Sequence, residues 1–183
     1  MVSNRSFEIS PSTSVANVRL NVYSVEMSLH FYRDLLGFQV IGKSSEDNAL
    51  LAPIDSNNKN HLLQLGRVDT SHRVIEGEQS PIRQAGLYHF AILLPSRRHL
   101  ANIFRHLTEN SNQLYFEGAA DHSVSESLYF KDPDSNGVEI YRDRVQSKWK
   151  RSSQFQVEMK TDHLNLEQLQ REGEYQIKWR MPS

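Results

Sequence analysis

Residues 121–141 read DHSVSESLYFKDPDSNGVEIY, and residues 86–97 read GLYHFAILLPSR. The second stretch places His89 early in an apolar run, and the first places Glu139 between two aliphatic residues, just after an Asp-Pro-Asp-Ser-Asn-Gly turn. A histidine and a carboxylate on two separate strands are the kind of pair that can meet at one metal ion. If His89 and Glu139 meet in this way, the two stretches indicate a metal-dependent enzyme; if they do not, little else in the sequence indicates a chemistry.

The same order of elements is predicted twice along the chain. Alternation of apolar and polar residues indicates a strand over 18–22, and Ser24 is expected to cap a helix that runs over about 25–35. In the second half, Ser96 begins a helix that runs to about residue 110. Setting Asn17 against His89 also sets Ser24 against Ser96, which indicates an internal duplication. The other predicted strands are 38–41, 49–51, 62–65, 87–94, 114–116, 127–130 and 138–141.

These elements divide the chain into five predicted segments. The two repeated units are structural modules, and the rest are connections or ends. A short helix in the last segment is expected to begin at Asp162 as its cap. The segments are a flexible arm at 1–15, a first module at 16–68, a linker at 69–85, a second module at 86–145 and a C-terminal connector at 146–183.

The composition excludes several classes of function. The 183 residues carry a net charge of -1 and no cysteine. The balanced charge gives no field that would attract nucleic acid or an anionic membrane. The absence of cysteine excludes disulfides, thiolate zinc sites and a cysteine nucleophile. No apolar run reaches membrane-spanning length and no secretory signal is evident. We therefore expect a cytoplasmic protein that acts on small molecules or protein partners.

Two strand–helix–three-strand units, with HFYRDLLGF at 30–38 and NGVEIY at 136–141, resemble the vicinal oxygen chelate superfamily. This group includes glyoxalase I, bleomycin and fosfomycin resistance proteins and extradiol ring-cleaving dioxygenases, and the resemblance spans about residues 16–145. It implies an α+β fold in which two tandem βαβββ modules form a cupped, incomplete mixed β-barrel with the helices outside. The two opening stretches are most similar to the first half of catechol 2,3-dioxygenase-like proteins of bacilli.

The resemblance implies that His89 and Glu139 are metal ligands. Asn17 and, approximately, Gln64 stand at the matching positions of the first module, and neither is a strong ligand. Non-haem Fe(II) oxygenases use two histidines and one carboxylate, so a third ligand is missing. It can come from later modules outside this chain or from His61 or His122, or the site is weakly occupied or empty. Fe(II) is the expected metal, and Mn(II), Zn(II) and Ni(II) are alternatives.

The resemblance to extradiol dioxygenases implies that His122 and Tyr129 are catalytic residues beside the metal, since Tyr129 lies ten residues before Glu139 and His122 lies in the loop before that strand. A histidine can take and return a proton near neutral pH, and a tyrosine hydroxyl can bind a substrate oxygen. Each candidate also has a structural interpretation. His89 can be a packed core histidine, Glu139 can lie on a solvent face, His122 can be a turn residue and Tyr129 can be an ordinary strand aromatic. Arg97, at the start of the second helix, is expected to be solvated.

Three functions are consistent with this sequence. The first is an Fe(II)-dependent extradiol dioxygenase, or its N-terminal half, that acts on a small aromatic diol. The second keeps the fold but carries out glyoxalase or antibiotic-resistance chemistry, which usually draws ligands from both modules. The third is a non-enzymatic binding protein with a cavity lined by aromatic side chains. Because members of this superfamily often pair modules across subunits, a homodimer is also an expected form, without nucleic-acid or membrane partners.

Overall fold

The computed structural model describes most of the chain. The predicted linker at 69–85 lies outside the described residues, as do most of the predicted arm and the last ten residues of the predicted connector. The described ranges are 9–10, 12–42, 45–54, 61–68, 87–110 and 114–173.

The first half forms a mixed four-stranded sheet in the order β1-β4-β3-β2. β1 runs parallel to β4, and the other neighbours are antiparallel. Leu20 and Val22 of β1 are buried, while Arg19 and Asn21, which alternate with them, are exposed, as the alternating pattern predicts. The strands are β1 (Val18–Val22), β2 (Gln39–Ile41), β3 (Asn48–Ala52) and β4 (Leu63–Arg67).

The helix of the first half begins as predicted and then widens. The Ser24 hydroxyl accepts a hydrogen bond from the Met27 amide and caps α1 (Val25–Leu29). The chain continues as a π-helical segment, His30–Leu35, and the amide of Leu36 bonds the carbonyl five residues earlier. Gly37 then ends the helix with a φ of 81°, a conformation that glycine adopts without steric cost.

The second half forms a mixed five-stranded sheet in the order β5-β8-β7-β6-β9. β5 is parallel to β8, and the remaining pairs are antiparallel. This repeats the parallel pairing of β1 with β4, and both sheets are open rather than closed on themselves. The elements are β5 (Phe90–Leu93), α2 (Arg97–Asn110), β6 (Tyr115–Asp121), β7 (Ser125–Lys131), β8 (Gly137–Asp143), β9 (Asp162–His163) and α3 (Leu166–Glu172).

One hydrophobic core joins the two halves. The buried side chains of α2 recur at helical spacing and so form one apolar face. This face packs in the core with residues of both sheets. The turn at 132–137 adds a polar contact: the Tyr32 hydroxyl donates to Asp132 Oδ2 at 2.8 Å, and both residues are buried. Buried polar groups need such partners, so this bond ties the first helix to the second sheet. The arrangement confirms the predicted α+β fold.

The C-terminal connector differs from the prediction at its helix. Asp162 does not cap the helix but lies in the short strand β9, which pairs with β6. The cap of α3 is Asn165, whose side chain accepts a hydrogen bond from the Gln168 amide at 2.8 Å. Both residues are good caps, so the sequence pattern alone does not separate them. The edge of β6 decides between them, because it offers Asp162 a strand partner.

Candidate metal centre

Glu139 lies on the face of the second sheet that is turned away from the core. Its neighbours Val138 and Ile140 are almost completely buried, and side chains alternate between the two faces of a strand. The carboxylate therefore points to the opposite face, where its side chain keeps 13% of its exposure. This is the direction that the alternation in the sequence predicts.

His89 meets Glu139 on this face. It directly precedes β5, and its position two residues before Ala91 gives it the same direction as Ala91, the register partner of Glu139. The Nε2 atom of His89 lies 3.1 Å from Oε2 of Glu139. The two side chains of the predicted metal pair thus converge, although positions 89 and 139 are 50 residues apart in sequence.

A glycine lets the backbone before β5 approach β8 this closely. The Gly137 amide donates to the Leu87 carbonyl at 3.2 Å. A Cβ atom at position 137 would lie 1.9 Å from the Tyr88 carbonyl oxygen and 2.8 Å from Cβ of His89. Any side chain other than hydrogen would push His89 away, so Gly137 is part of what positions the imidazole.

Tyr129 holds the second oxygen of the carboxylate. It is the register partner of Glu139 on β7, and its hydroxyl donates to Oε1 of Glu139 at 3.2 Å. Its ring also stands edge-on to His89, with the ring centres 6.1 Å apart. Burial raises the pKa of Tyr129 above its ordinary value, and the nearby Glu139 carboxylate raises it further. The hydroxyl therefore keeps its proton at neutral pH.

His122 completes a continuous line of polar contacts. It lies in the turn between β6 and β7, and its Nε2 atom is 2.9 Å from the Tyr129 hydroxyl oxygen. Its Nδ1 atom is 3.0 Å from the carbonyl oxygen of Lys160. Both ring nitrogens are thus engaged, which argues against His122 as the missing metal ligand. The four predicted site residues, His89, Glu139, Tyr129 and His122, form one chain of contacts.

The geometry of His89 and Glu139 fits a shared divalent cation. Two ligand atoms about 2.1 Å from one ion and at right angles lie about 3.0 Å apart. The observed separation of 3.1 Å agrees with that value. The hydrogen bond from Tyr129 to Oε1 of Glu139 leaves Oε2 facing the imidazole of His89. Hydrogen bonds of this kind orient the residues that bind a metal. Among the described residues, however, no group of three or more His, Cys, Asp or Glu side chains could hold a metal.

The first sheet supplies no counterpart to this pair. Gln64 pairs with Arg19 in the register in which Glu139 pairs with Ala91, so the predicted equivalence of positions 64 and 139 agrees with the pairing. The Gln64 amide donates to the Asn48 side chain at 3.2 Å, and Asn17 is exposed. Neutral amides are weak metal ligands, so the second sheet alone carries the candidate centre.

Two contacts in the second half of the chain escaped the sequence analysis. Arg97 is not solvated as predicted: its Nε donates to Glu126 at 2.7 Å, and it also pairs with Glu172. Glu126 is 3% exposed and also accepts from Arg142 and Arg144. The second is the contact of the Lys160 carbonyl with His122, which escaped because a backbone group carries no sequence signal.

Comparison with known proteins agrees with this fold. A family model of the Glyoxalase/Bleomycin resistance protein/Dioxygenase superfamily matches residues 14–140, and the chain belongs to this superfamily. Catechol-2,3-dioxygenase of Bacillus subtilis (strain 168) is 36% identical over 175 residues. That alignment covers 96% of this chain and 57% of the relative, so the chain spans little more than half of that protein.

Solved structures show the same architecture. Lactoylglutathione lyase from Agrobacterium tumefaciens superposes with a TM-score of 0.53 at 18% identity, over 72% of this chain and 95% of that chain. A glyoxalase/dioxygenase from Nostoc punctiforme superposes with a TM-score of 0.53 at 18% identity, over 76% of this chain and 99% of that one. At such identity the likeness concerns the fold alone. No helix in the described part of the chain is long and apolar enough to cross a membrane.

Proposed function

We propose that this chain carries the metal site and the proton-transfer groups of an extradiol ring-cleaving dioxygenase that acts with Fe(II) on a small aromatic diol. The observation that supports this most is the contact chain from His89 through Glu139 and Tyr129 to His122. A pair of metal-ligating groups beside a tyrosine and a histidine suits a reaction that needs both a metal and proton transfer. The catechol-2,3-dioxygenase name of the curated relative adds support.

Each residue has a task in the proposed reaction. Fe(II), when bound by His89 and Glu139, would supply the redox chemistry between dioxygen and the diol. Extradiol cleavage breaks the ring bond beside one hydroxylated carbon and places both atoms of O2 in the product, so no external reductant is consumed. A proton must leave one substrate hydroxyl and be returned to a product oxygen. His122 would take and return it, and Tyr129 would hydrogen-bond the substrate oxygen.

The third protein ligand is proposed to come from outside the described residues of a single copy of the chain. Its source is either further modules of a longer protein, as the length of the curated relative suggests, or a second copy of the chain in a homodimer. Sedimentation of the chain with metal bound shows whether a dimer forms, which distinguishes a second copy from further modules as the source. If a second copy supplies the ligand, metal affinity rises with protein concentration as the dimer forms. If further modules supply it, metal affinity is weak and independent of protein concentration.

Metal binding tests the proposal directly. We expect His89→Ala and Glu139→Gln each to weaken Fe(II) binding at least about 100-fold, because losing an outer-shell partner alone costs about 10–100-fold. Anaerobic titration calorimetry of the full chain measures this loss. His30→Ala and Glu167→Gln are the matched controls, since these side chains are 69% and 88% exposed. Equal Fe(II) affinity in all four variants would refute the assignment of the ligands.

Turnover assays distinguish the proposed dioxygenase from a glyoxalase and from a binding protein. Oxygen uptake with formation of the yellow ring-cleavage product of catechol supports the dioxygenase. Turnover of the methylglyoxal hemithioacetal without oxygen uptake would indicate a glyoxalase instead. Tight binding of an aromatic ligand that survives strong chelators, with no turnover, would indicate a binding protein.

A further inference from the structure

The chain beyond the second module returns to the candidate site. After β8 it runs back along the second sheet, and β9 pairs with the outer edge of β6. This placement brings the Lys160 carbonyl within 3.0 Å of Nδ1 of His122, and the Lys160 amide within 3.4 Å of the His122 carbonyl. We call residues 160–173 the C-terminal brace. It lies wholly outside residues 14–140, the part of the chain that the superfamily model matches.

The brace is held firmly against the second module. Leu164 and Leu169 are buried in the common core, and Asn165 caps α3. Arg105, itself buried, donates from Nη1 to the Gly173 carbonyl at 2.7 Å. Glu172 pairs with Arg97, which is also bonded to the buried Glu126. Because both ends of the brace are anchored, the carbonyl at 160 has a defined position.

That position determines which nitrogen of His122 carries the proton. A backbone carbonyl can only accept a hydrogen bond, so Nδ1 must be the donor. In the neutral imidazole, Nε2 then presents its lone pair to Tyr129, whose hydroxyl lies 2.9 Å away. This is the form in which Nε2 can receive a proton, either from Tyr129 or from a substrate bound next to it.

The Tyr129 hydroxyl has two possible acceptors, Nε2 of His122 and the Glu139 carboxylate, but only one proton. Three contacts link these groups. The Lys160 carbonyl contacts Nδ1 of His122, Nε2 of His122 contacts the Tyr129 hydroxyl, and that hydroxyl contacts Glu139. Neutral histidine and tyrosine bring only two protons to these contacts. The donation from the hydroxyl to Glu139 therefore belongs to the state in which Nε2 also holds a proton, and in neutral His122 with Nδ1–H the hydroxyl donates to Nε2 instead.

We propose that the C-terminal brace is a positioning element that keeps His122 in the Nδ1–H tautomer, with Nε2 directed at Tyr129. In neutral His122 the tautomer follows from the contact with the Lys160 carbonyl, which can only accept a hydrogen bond. Its consequence for proton transfer rests on the proposed function, in which His122 is the acid–base group. Without the brace, neutral histidine reverts to the Nε2–H form that free imidazole side chains prefer, which cannot accept a proton from the site side.

Nitrogen-15 NMR of the histidine-labelled full chain measures the tautomer. The spectra are recorded in alkaline buffer so that the imidazoles are neutral, and His122→Gln identifies the resonances of His122. We expect the Nδ1–H form in the unaltered chain. Leu169→Ala and the milder Asn165→Ala loosen the brace, and loss of one neutral hydrogen bond should lower the ratio of Nδ1–H to Nε2–H forms about fivefold.

The control is Leu51→Ala, which removes an equally buried leucine from the first sheet. It should lower stability without changing the His122 tautomer. An Nε2–H tautomer in the unaltered chain would overturn the proposal, and so would an equal change of tautomer in Leu51→Ala. If Leu169→Ala fails to fold, Asn165→Ala decides, since loss of a helix cap costs only about 1 kcal/mol. Failure of the dioxygenase proposal would appear in the Fe(II) titrations of His89→Ala and Glu139→Gln, which do not involve the tautomer.

Discussion

Replacing Gly137 by alanine should separate His89 from Glu139. The new Cβ would lie 1.9 Å from the Tyr88 carbonyl oxygen, whereas Cβ contacts shorter than 3.0 Å essentially never occur. The backbone at 88–89 must therefore move by about 1 Å, several times the ±0.2 Å that a metal site tolerates. Because displacements of this size can cost about 100-fold in function, we expect Fe(II) affinity to fall about 100-fold in Gly137→Ala.

The same substitution should lower stability only moderately. Overpacking of this kind costs about 1–3 kcal/mol, and each kcal/mol lowers the melting temperature of a chain this size by about 2–4 °C. Anaerobic titration calorimetry gives the affinity, and thermal melting followed by circular dichroism gives the stability. The two measurements together show whether metal binding is lost from a folded protein.

Gly42→Ala is the matched control for this experiment. Gly42 has a φ of 71°, and no atom of the described residues lies within 4 Å of a Cβ built there. Alanine at this position is strained by about 1–2 kcal/mol but displaces no neighbour. It should therefore lose stability and keep its Fe(II) affinity. The reasoning is refuted if folded Gly137→Ala binds Fe(II) like the unaltered chain, or if Gly42→Ala weakens binding as much.

Three further predictions concern the groups around the site. Tyr129→Phe removes the hydroxyl that links Glu139 to His122, so Fe(II) affinity should stay within about tenfold, and kcat for the proposed cleavage of catechol should fall about 100-fold or more. Unchanged kcat in steady-state assays would contradict this. Glu126→Gln should lower the free energy of unfolding by about 3–5 kcal/mol in urea melts, because it removes the buried partner of three guanidinium groups; exposed Glu167→Gln should change it little. Burial raises the pKa of Tyr32 well above its ordinary value, and the nearby Asp132 carboxylate adds to the effect. The folded chain then holds a proton that the unfolded chain releases above about pH 10, so stability should fall as pH rises beyond that point. Tyr32→Phe should show a flatter decline in melting temperature, and an identical decline would exclude Tyr32 as its source.

Much of the local structure follows from the sequence. The alternation in β1, the Ser24 cap and the stop at Gly37 are short-range signals, and the structure agrees with each. β6 is longer than the predicted strand at 114–116 and extends over Tyr115–Asp121. Its second half has weak strand propensity, and pairing with β7 and β9 maintains the extended conformation there.

Two charged residues make contacts that the sequence patterns do not predict. Arg97 and Asp162 stand at ordinary surface and cap positions in the sequence, yet one meets a buried carboxylate and the other joins a sheet edge. Their partners, Glu126 and the edge of β6, come from distant parts of the chain. Helix and cap patterns describe only neighbours within about one turn, so these contacts lie beyond them.

The sequence by itself determined which residues are able to act at the site and toward which face of the strand each points, because alternation and chemical type are local properties. This holds for His89, Glu139 and Tyr129, whereas His122 lies in a turn, and the roles proposed for all four come from the resemblance to the superfamily. Tertiary structure decided the rest: the 3.1 Å approach of His89 to Glu139 and the carbonyl of Lys160 behind His122. Strand pairing fixes distances between residues far apart in sequence, and a backbone carbonyl is the same at every position, so only the folded chain specifies either contact.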